Sequence, residues 1–299
     1  MSSALESAPS SPAAGRPPRP WLRLRRRPGR RPWFSGTVMA IFAFCGLFGS
    51  VVAPHDPDKV NLSQALKPPV FAGGTPTYLL GTDQLGRDVL SRLLTGAQVS
   101  FLVAAGAVLI GGAIGLLVAL LAGYSGGRLD AVLTRVADAS MAFPVVLLAI
   151  VIVAIYGKGV TVVIAVLVVA AWPQYARVLR SEVIRIRTQE FVTMSRVMGG
   201  GRFWAITRHV VPNTIPTLLV LATLQIGLAI IAEGSLSFLG IGVPPPAASW
   251  GNMLADGRNF LATAWWLPVV PGVALSLTVL AANLFGDWLR QALDPATRR

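Results

Sequence analysis

Long apolar segments are the feature that most limits how this chain can fold. An α-helix rises 1.5 Å per residue, so about 20 mostly apolar residues cross the hydrocarbon core of a bilayer. Six segments of the 299-residue chain meet this requirement: Phe34–Ala53, Val99–Tyr124, Ala131–Tyr156, Val160–Leu179, Pro212–Glu233 and Ala262–Phe285. The pattern predicts an all-α membrane protein with six transmembrane helices.

The amino-acid composition agrees with a membrane protein. Only 13% of the residues are charged, against about 25% in soluble domains, and the mean hydropathy is +0.63. Cys45 is the single cysteine of the sequence, so a disulfide within the chain and a thiolate metal site are both excluded.

The basic residues predict the orientation in the membrane. An even number of spans puts both termini on one side, and we expect that side to be the cytosol. Only six of the 26 basic residues then fall outside: Lys59, Lys67, Arg87, Arg92, Lys158 and Arg258. This bias follows the positive-inside rule. The net charge of +13 is therefore interpreted as a topology signal, and we expect no binding of nucleic acid.

Four regions are expected along the chain. Residues 1–33 are predicted to be a disordered, basic, cytosolic tail, because they are rich in serine, alanine, proline and arginine. Residues 34–98 hold the first transmembrane helix and an external segment. Residues 99–289 form the transmembrane domain with a cytosolic loop at 181–211, and residues 290–299 form a cytosolic C-terminal tail.

The loop between the fourth and fifth apolar segments has a helix–break–helix pattern. Glu190–Met198 is compatible with a short helix, and the three glycines at 199–201 are expected to end it, because glycine adopts the left-handed conformation readily. A second helix can begin at Arg202, with Pro212 in the first turn of the next span. The residues alone leave two interpretations open: an amphipathic hairpin on the bilayer surface, or a protrusion that docks into a partner.

This loop resembles the cytoplasmic coupling loop of the permeases of ATP-binding-cassette (ABC) importers. In that family a Glu-Ala-Ala run precedes a glycine, and a hydrophobic-x-proline sequence follows about a dozen residues later. Here Thr193-Met194-Ser195 stands at the triplet, Gly199 at the glycine and Val210-Val211-Pro212 at the end. The triplet departs from the family pattern.

Three further blocks resemble the second permease subunit of dipeptide and oligopeptide importers, whose nickel-transporting relatives share them. They are LLGTDQLGRDVLSRLLTGAQVS at Leu79–Ser100, EGSLSFLGIGVPPPAASWGNML at Glu233–Leu254 and GDWLRQALDPATRR at Gly286–Arg299. The resemblance covers about residues 34–297. It implies the type I ABC importer permease fold, in the cytoplasmic membrane of a bacterium.

The resemblance also implies a function, which is half of a translocation pathway for di- or oligopeptides. Nickel or another small solute is the alternative. The implied partners are a second homologous permease, one or two ATPase subunits that bind ATP and Mg²⁺, an extracytoplasmic solute-binding protein and membrane lipid. Contact with the ATPase is expected from ten residues of the loop: Glu190, Phe191, Val192, Thr193, Met194, Ser195, Val197, Met198, Gly199 and Arg202.

No catalytic or metal-binding motif is found in the sequence. It has no G-x-x-x-x-G-K-[ST] phosphate loop, and the one Gly-Lys pair, Gly157-Lys158, falls in a predicted external turn. His55 and His209 fall on opposite sides of the predicted membrane, so they cannot share a metal ion. We expect a non-catalytic subunit that binds no cofactor.

Polar residues inside the apolar segments are candidates for the transport pathway, because such residues are rare in membranes. Asp138, Gln225 and Asn283 are the three candidates. Each has a structural alternative: an ion pair of Asp138 with Arg135, and hydrogen bonds between helices for the two amides. A secondary transporter that works alone is a further alternative, although the sequence has no internal repeat of the kind expected for one.

The external block is predicted to contain a short helix of its own. Thr82 or Asp83 can cap this helix, whose apolar face would rest on the membrane or on a partner. Arg87, Asp88 and Arg92 are expected to pair with one another or with lipid head groups.

Overall fold

Helices form nearly all of the regular structure in residues 32–293, which are the residues that the computed structural model describes, apart from the side chain of Arg196. Within them the ten α-helices are α1 (Trp33–Val52), α2 (Val89–Ser125), α3 (Gly127–Met141), α4 (Val145–Tyr156), α5 (Val160–Arg187), α6 (Glu190–Val197), α7 (Arg202–Ala205), α8 (Val211–Phe238), α9 (Trp250–Gly257) and α10 (Trp266–Leu293). The all-α prediction is confirmed. The predicted tails fall mostly outside the described residues, although Trp33 begins α1 and residues 290–293 end α10.

Five helical stretches are long and apolar enough to cross a membrane: 33–52, 89–125, 160–187, 202–238 and 266–293. A sixth span results if α3 and α4 are counted together, but the two helices are bent by 86° at their junction. The sequence predicted one helix through this third segment. Pro144 explains the break, because it lacks an N–H group and takes an extended conformation (φ −60°, ψ 130°) just before α4.

Several helices extend beyond the apolar segments that predicted them. α2 begins at Val89 and not at Val99, because the Asp88 carboxylate caps it by accepting a hydrogen bond from the Ser91 N–H at 3.1 Å. α5 continues to Arg187, so residues 181–187 of the predicted loop are helical. Hydropathy marks only the part of a helix that suits hydrocarbon, and polar turns at either end lengthen it.

The long helix α2 is the centre of the packing. It packs along α5 and α1 and also contacts α8, while α8 packs against α10. Small residues allow the close approach of α2 and α5. A Cβ atom at Gly115 would overlap the Cβ of Tyr175 and would lie 2.9 Å from the Trp172 carbonyl oxygen. Small residues at helix contacts are typical of membrane proteins, in which van der Waals packing drives association.

Replacing Gly115 with alanine is expected to destabilise the fold by about 1–3 kcal/mol, because the added methyl group forces α2 away from α5. Gly112, one turn earlier, is the matched control, since a Cβ there would have its nearest neighbours at 3.6 Å, which is ordinary contact. Thermal unfolding in detergent should show a lower midpoint for Gly115→Ala than for Gly112→Ala. Equal midpoints would contradict the close α2–α5 contact.

The segment between α1 and α2 is a compact loop held by an ionic cluster. The Asp83 carboxylate accepts hydrogen bonds from the backbone N–H groups of Leu85 and Arg87 at 2.9 Å and from Arg87 Nε at 2.6 Å. Arg92, which is buried, lies 3.7 Å from Asp83 and 3.6 Å from Asp58. The predicted cap at Thr82 or Asp83 is wrong, because the helical residues of this block begin only at Val89, as the first turns of α2, and Asp88 caps them.

Glu233 joins three elements near the C-terminal end of α8. Its carboxylate is fully buried and accepts hydrogen bonds from Ser237 Oγ at 2.8 Å and from Ser100 Oγ of α2 at 3.3 Å. Ser100 Oγ in turn accepts one from the Trp250 N–H, at the start of α9, at 3.5 Å. α8 does not end at Glu233, as its apolar segment predicted, but continues to Phe238.

Candidate functional site

The loop between α5 and α8 has the helix–break–helix form that the sequence predicts. α6 covers Glu190–Val197, and the chain then turns at Gly199, where φ is +89°. The Gly200 N–H donates to the Ser195 carbonyl oxygen at 3.0 Å, which satisfies one of the free carbonyl groups at the helix end. The predicted roles of these glycines in ending the helix are confirmed.

One side of α6 is anchored in the protein by Val192. This side chain is fully buried, and it belongs to an apolar cluster to which α2, α5, α7 and the turn before α8 contribute. The other buried members are Tyr124, Val183, Ile186, Ala205 and Val210. The position of α6 is therefore fixed by packing on four neighbouring parts of the chain.

Aromatic contacts connect α6 to the base of α8. The ring of His209 lies 5.7 Å from that of Phe191 in α6 and 5.1 Å from that of Trp204 in α7, in both cases edge to face. The Arg202 guanidinium lies 5.9 Å from the centre of the Tyr124 ring. A π-helical turn at 206–210 joins α7 to α8, so residues 202–238 form one helical stretch. These rings place α6 in direct contact with the base of α8.

The opposite side of this loop exposes large apolar side chains. Four of them are more than 60% exposed: Met194 (63%), Val197 (78%), Met198 (87%) and Phe203 (79%). We call these four residues the apolar face. An exposed apolar patch of this kind marks a contact with protein or membrane, and methionine suits a surface that must adapt to a partner.

The other predicted coupling residues surround the apolar face. Glu190 and Thr193 are exposed on α6, Ser195 is half-buried, and Gly199 and Arg202 lie at the break. Glu190 is in the first turn of α6, where a carboxylate is favoured by the helix dipole. The sequence did not assign Tyr124, Trp204 or His209 to this site, although the rings of Trp204 and His209 in a polar loop were a signal that could have indicated them.

A cavity of about 660 Å³ adjoins α6 between α5, α8 and α10. Its lining is mixed, with Phe191 and Leu221 beside Asn213 and Arg290. Glu182, which also lines it, accepts hydrogen bonds from Arg185 Nε at 2.9 Å and Nη2 at 2.6 Å. The cavity is large enough for a small solute.

The first pathway candidate, Asp138, has a different partner from the predicted one. Its Oδ1 accepts a hydrogen bond from Arg177 Nη2 of α5 at 2.6 Å, so the expected pair with Arg135 is wrong. Both side chains are about half exposed, so in water this pair would add little stability. α3 and α5 are packed against each other, which is how residues 39 positions apart come together.

The other two candidates lie on separate helices. Gln225 of α8 is buried, and its Nε2 donates to Oε1 of Gln174 in α5 at 3.1 Å, which is the hydrogen bond between helices that the sequence left as an alternative. Asn283 of α10 is exposed and lies beside Gly227 of α8. The structure therefore gives the three candidates different neighbours and does not join them in one polar cluster.

Comparison with known proteins identifies the family. The family described as the inner membrane component of binding-protein-dependent transport systems matches residues 111–299. The chain belongs to this family. Membership makes it a transport permease component and a multi-pass membrane protein.

Individual relatives extend the similarity over most of the chain. The di/tripeptide transport system permease protein DppC of Pseudomonas aeruginosa is 42% identical over 258 residues, which are 86% of this chain and 85% of the relative. The dipeptide permease DppC of Haemophilus influenzae is 38% identical over 87% of this chain and 88% of its own length. The probable D,D-dipeptide permease DdpC of Escherichia coli is 35% identical, with 87% and 86% covered.

Solved structures of ABC transporters share the fold. An inward-facing structure of the MetNI methionine transporter matches with a TM-score of 0.57 and 19% identity, over 68% of this chain and 96% of that one. An amino acid ABC transporter matches with a TM-score of 0.53 and 14% identity, over 68% and 94%. The ABC importer permease fold predicted from the sequence is confirmed.

Proposed function

We propose that this chain is the permease subunit of an ATP-driven importer and that it forms half of a pathway for di- or oligopeptides. The observation that carries the coupling role is the two-sided arrangement of α6. Val192 fixes one side to the fold, while the apolar face on the other side has no cover within residues 32–293. Peptide as the solute is supported by the relatives, which are named as peptide permeases.

The proposed orientation places α6 and both termini in the cytosol of a bacterium, as the distribution of basic residues indicates. ATPase subunits of one or two kinds would bind ATP and Mg²⁺ and would contact the apolar face. A second, homologous permease would complete the pathway, and an extracytoplasmic binding protein would deliver the solute. This chain would bind no nucleotide and perform no catalysis.

The proposed mechanism uses the contacts between α6 and α8. When two ATPase subunits close on ATP, they pull α6, and the contacts of Phe191 and Trp204 with His209 transmit this displacement to the base of α8. Because residues 202–238 are one helical stretch, the displacement tilts α8 as a unit. ATP changes the access of the pathway only if the ATPases bind the two states of α6 differently.

The test is purification of the tagged chain in mild detergent, followed by transport in vesicles. A second permease and ATPase subunits should co-purify, and vesicles holding the whole complex should take up peptide only with ATP and the binding protein. Uptake of nickel or another small solute in place of peptide would favour the alternative substrate class. A stable homo-oligomer that transports without ATP would contradict the importer and support a secondary transporter.

A further inference from the structure

Gln174 and Gln225 lie at the middle of the two helices that carry them. Each residue follows the first residue of its 28-residue helix by fourteen positions, in α5 and in α8. Both residues lie inside the apolar segments 160–179 and 212–233, although α5 and the helical stretch 202–238 continue beyond them. The hydrogen bond of 3.1 Å between the two amides therefore lies in the part of these helices that suits hydrocarbon, where polar groups are costly.

Two glutamine amides have more hydrogen-bond donors and acceptors than the one hydrogen bond between them uses. This bond leaves one carbonyl oxygen, Oε1 of Gln225, and one NH₂ group, Nε2 of Gln174, and neither makes another hydrogen bond within residues 32–293. The same result holds if both amides are turned over, because one acceptor and one donor group always remain. Together they present a donor beside an acceptor, which is the complement of a peptide bond.

The two amides line a cavity of about 290 Å³ between α2, α4, α5 and α8. The other lining residues are apolar, and no Asp, Glu, Lys or Arg of residues 32–293 lines the cavity. Gln174 is exposed, and so are Leu228 and Ile231, which lie beside Gln225 in the lining. The cavity is thus open to the surface of the chain, and its volume is near the lower limit of small-molecule sites.

We propose that the Gln174–Gln225 pair binds a peptide bond of the solute during its passage. Gln225 Oε1 accepts a hydrogen bond from the peptide N–H, and Gln174 Nε2 donates one to the peptide carbonyl oxygen. The apolar walls receive side chains of varied size, and the lack of charge means that the site selects the backbone and not the terminal groups. This inference rests on the proposed import of peptides.

A hydrogen bond that only holds two helices together is the competing explanation. Gln98 provides the matched control, because its Oε1 accepts a hydrogen bond from the Ser50 N–H at 3.1 Å and so links α2 to α1, and it does not line this cavity. Methionine is the substitution of choice at all three positions, since it has nearly the length of glutamine and removes the amide.

The experiment uses the whole complex in vesicles, with its binding protein and two probes, Ala-Ala and Ala-(N-methyl)Ala, which lacks the peptide N–H. Gln174→Met and Gln225→Met should each raise the KM for Ala-Ala uptake about tenfold, and Gln98→Met should leave it unchanged. The preference for Ala-Ala over the methylated peptide should fall in Gln225→Met. Selection by the binding protein is common to all variants, so a change in this ratio reports on the permease.

Three outcomes decide the inference. The inference is supported if KM rises in both cavity variants and the peptide preference falls in Gln225→Met, with neither change in Gln98→Met. An intermediate effect of Gln225→Asn also supports it, because this substitution withdraws the amide from the cavity but keeps the site polar. If KM and the peptide preference are unchanged in the cavity variants, and their thermal midpoint falls as far as that of Gln98→Met, the pair is only a structural contact. The proposed importer function would then still hold. Absence of peptide uptake by the wild-type complex would instead overturn the proposed function and this inference with it.

Discussion

Valine at Gly199 is expected to reduce solute uptake at least tenfold while ATP hydrolysis by the assembled complex continues. The backbone of Gly199 has φ +89°, a conformation that costs other residues about 1–2 kcal/mol and is least accessible to a β-branched side chain. To relieve this strain the end of α6 must change direction. That change displaces Met198 and separates the motion of α6 from that of α7 and α8.

The matched control is the same substitution at Gly201. That residue has φ −64° and ψ 163°, which valine adopts easily, and a Cβ there would meet no atom within 4 Å in the part of the chain that the structure describes. Gly201→Val should therefore transport like the wild type. ATP-driven uptake and ATP hydrolysis are measured on complexes of equal abundance. Normal uptake by Gly199→Val would contradict the coupling role of the turn, and loss of uptake by both variants would point to general damage of the loop.

The all-helical class and five of the six expected spans could be predicted from the sequence, because the bilayer imposes a minimum apolar length on each span. The residues at which the helices begin and end could not be predicted in this way. Asp88 begins α2 by a side-chain contact with the backbone, and hydropathy contains no information on such a cap. In the same way, Arg187 is far too polar for hydrocarbon and yet belongs to α5.

The third span shows where apolar length misleads. Residues 131–156 are apolar enough for a single span, but Pro144 is placed where α3 ends and α4 begins, at an angle of 86°. A proline in a transmembrane helix can be tolerated when neighbours satisfy the free backbone groups. Pro173 inside α5 is such a case, so the presence of a proline did not by itself reveal which helix is broken.

The candidate site was predicted as a stretch of sequence but not as a surface. The glycines and the apolar spacing indicated α6, whereas only the structure separates Val192, which is buried, from Met194, which is exposed. The partners of polar residues were also missed. Gln174 lies 51 positions from Gln225, and a single sequence cannot indicate which of many residues at such a distance is the neighbour.

Glutamate at both Met194 and Met198 is expected to remove the ATPase subunits from the purified complex and to abolish ATP-driven uptake. Both side chains are largely exposed in this chain, so the substitutions leave its own packing intact. In a complex the apolar face would be buried, and a carboxylate without a partner in such an interface costs several kcal/mol. Each 1.4 kcal/mol lowers the affinity tenfold.

Leu62→Glu is the control, because Leu62 is an apolar residue of similar exposure (68%) in the segment between α1 and α2, far along the chain from the loop. It should retain both the ATPase subunits and the uptake. The double variant also separates the two interpretations that the sequence left open. If α6 were a hairpin resting on the bilayer, the two carboxylates would lift it from the lipid but leave the co-purified ATPase unchanged. Retention of the ATPase by the double variant would therefore assign the apolar face to the membrane surface and not to a partner protein.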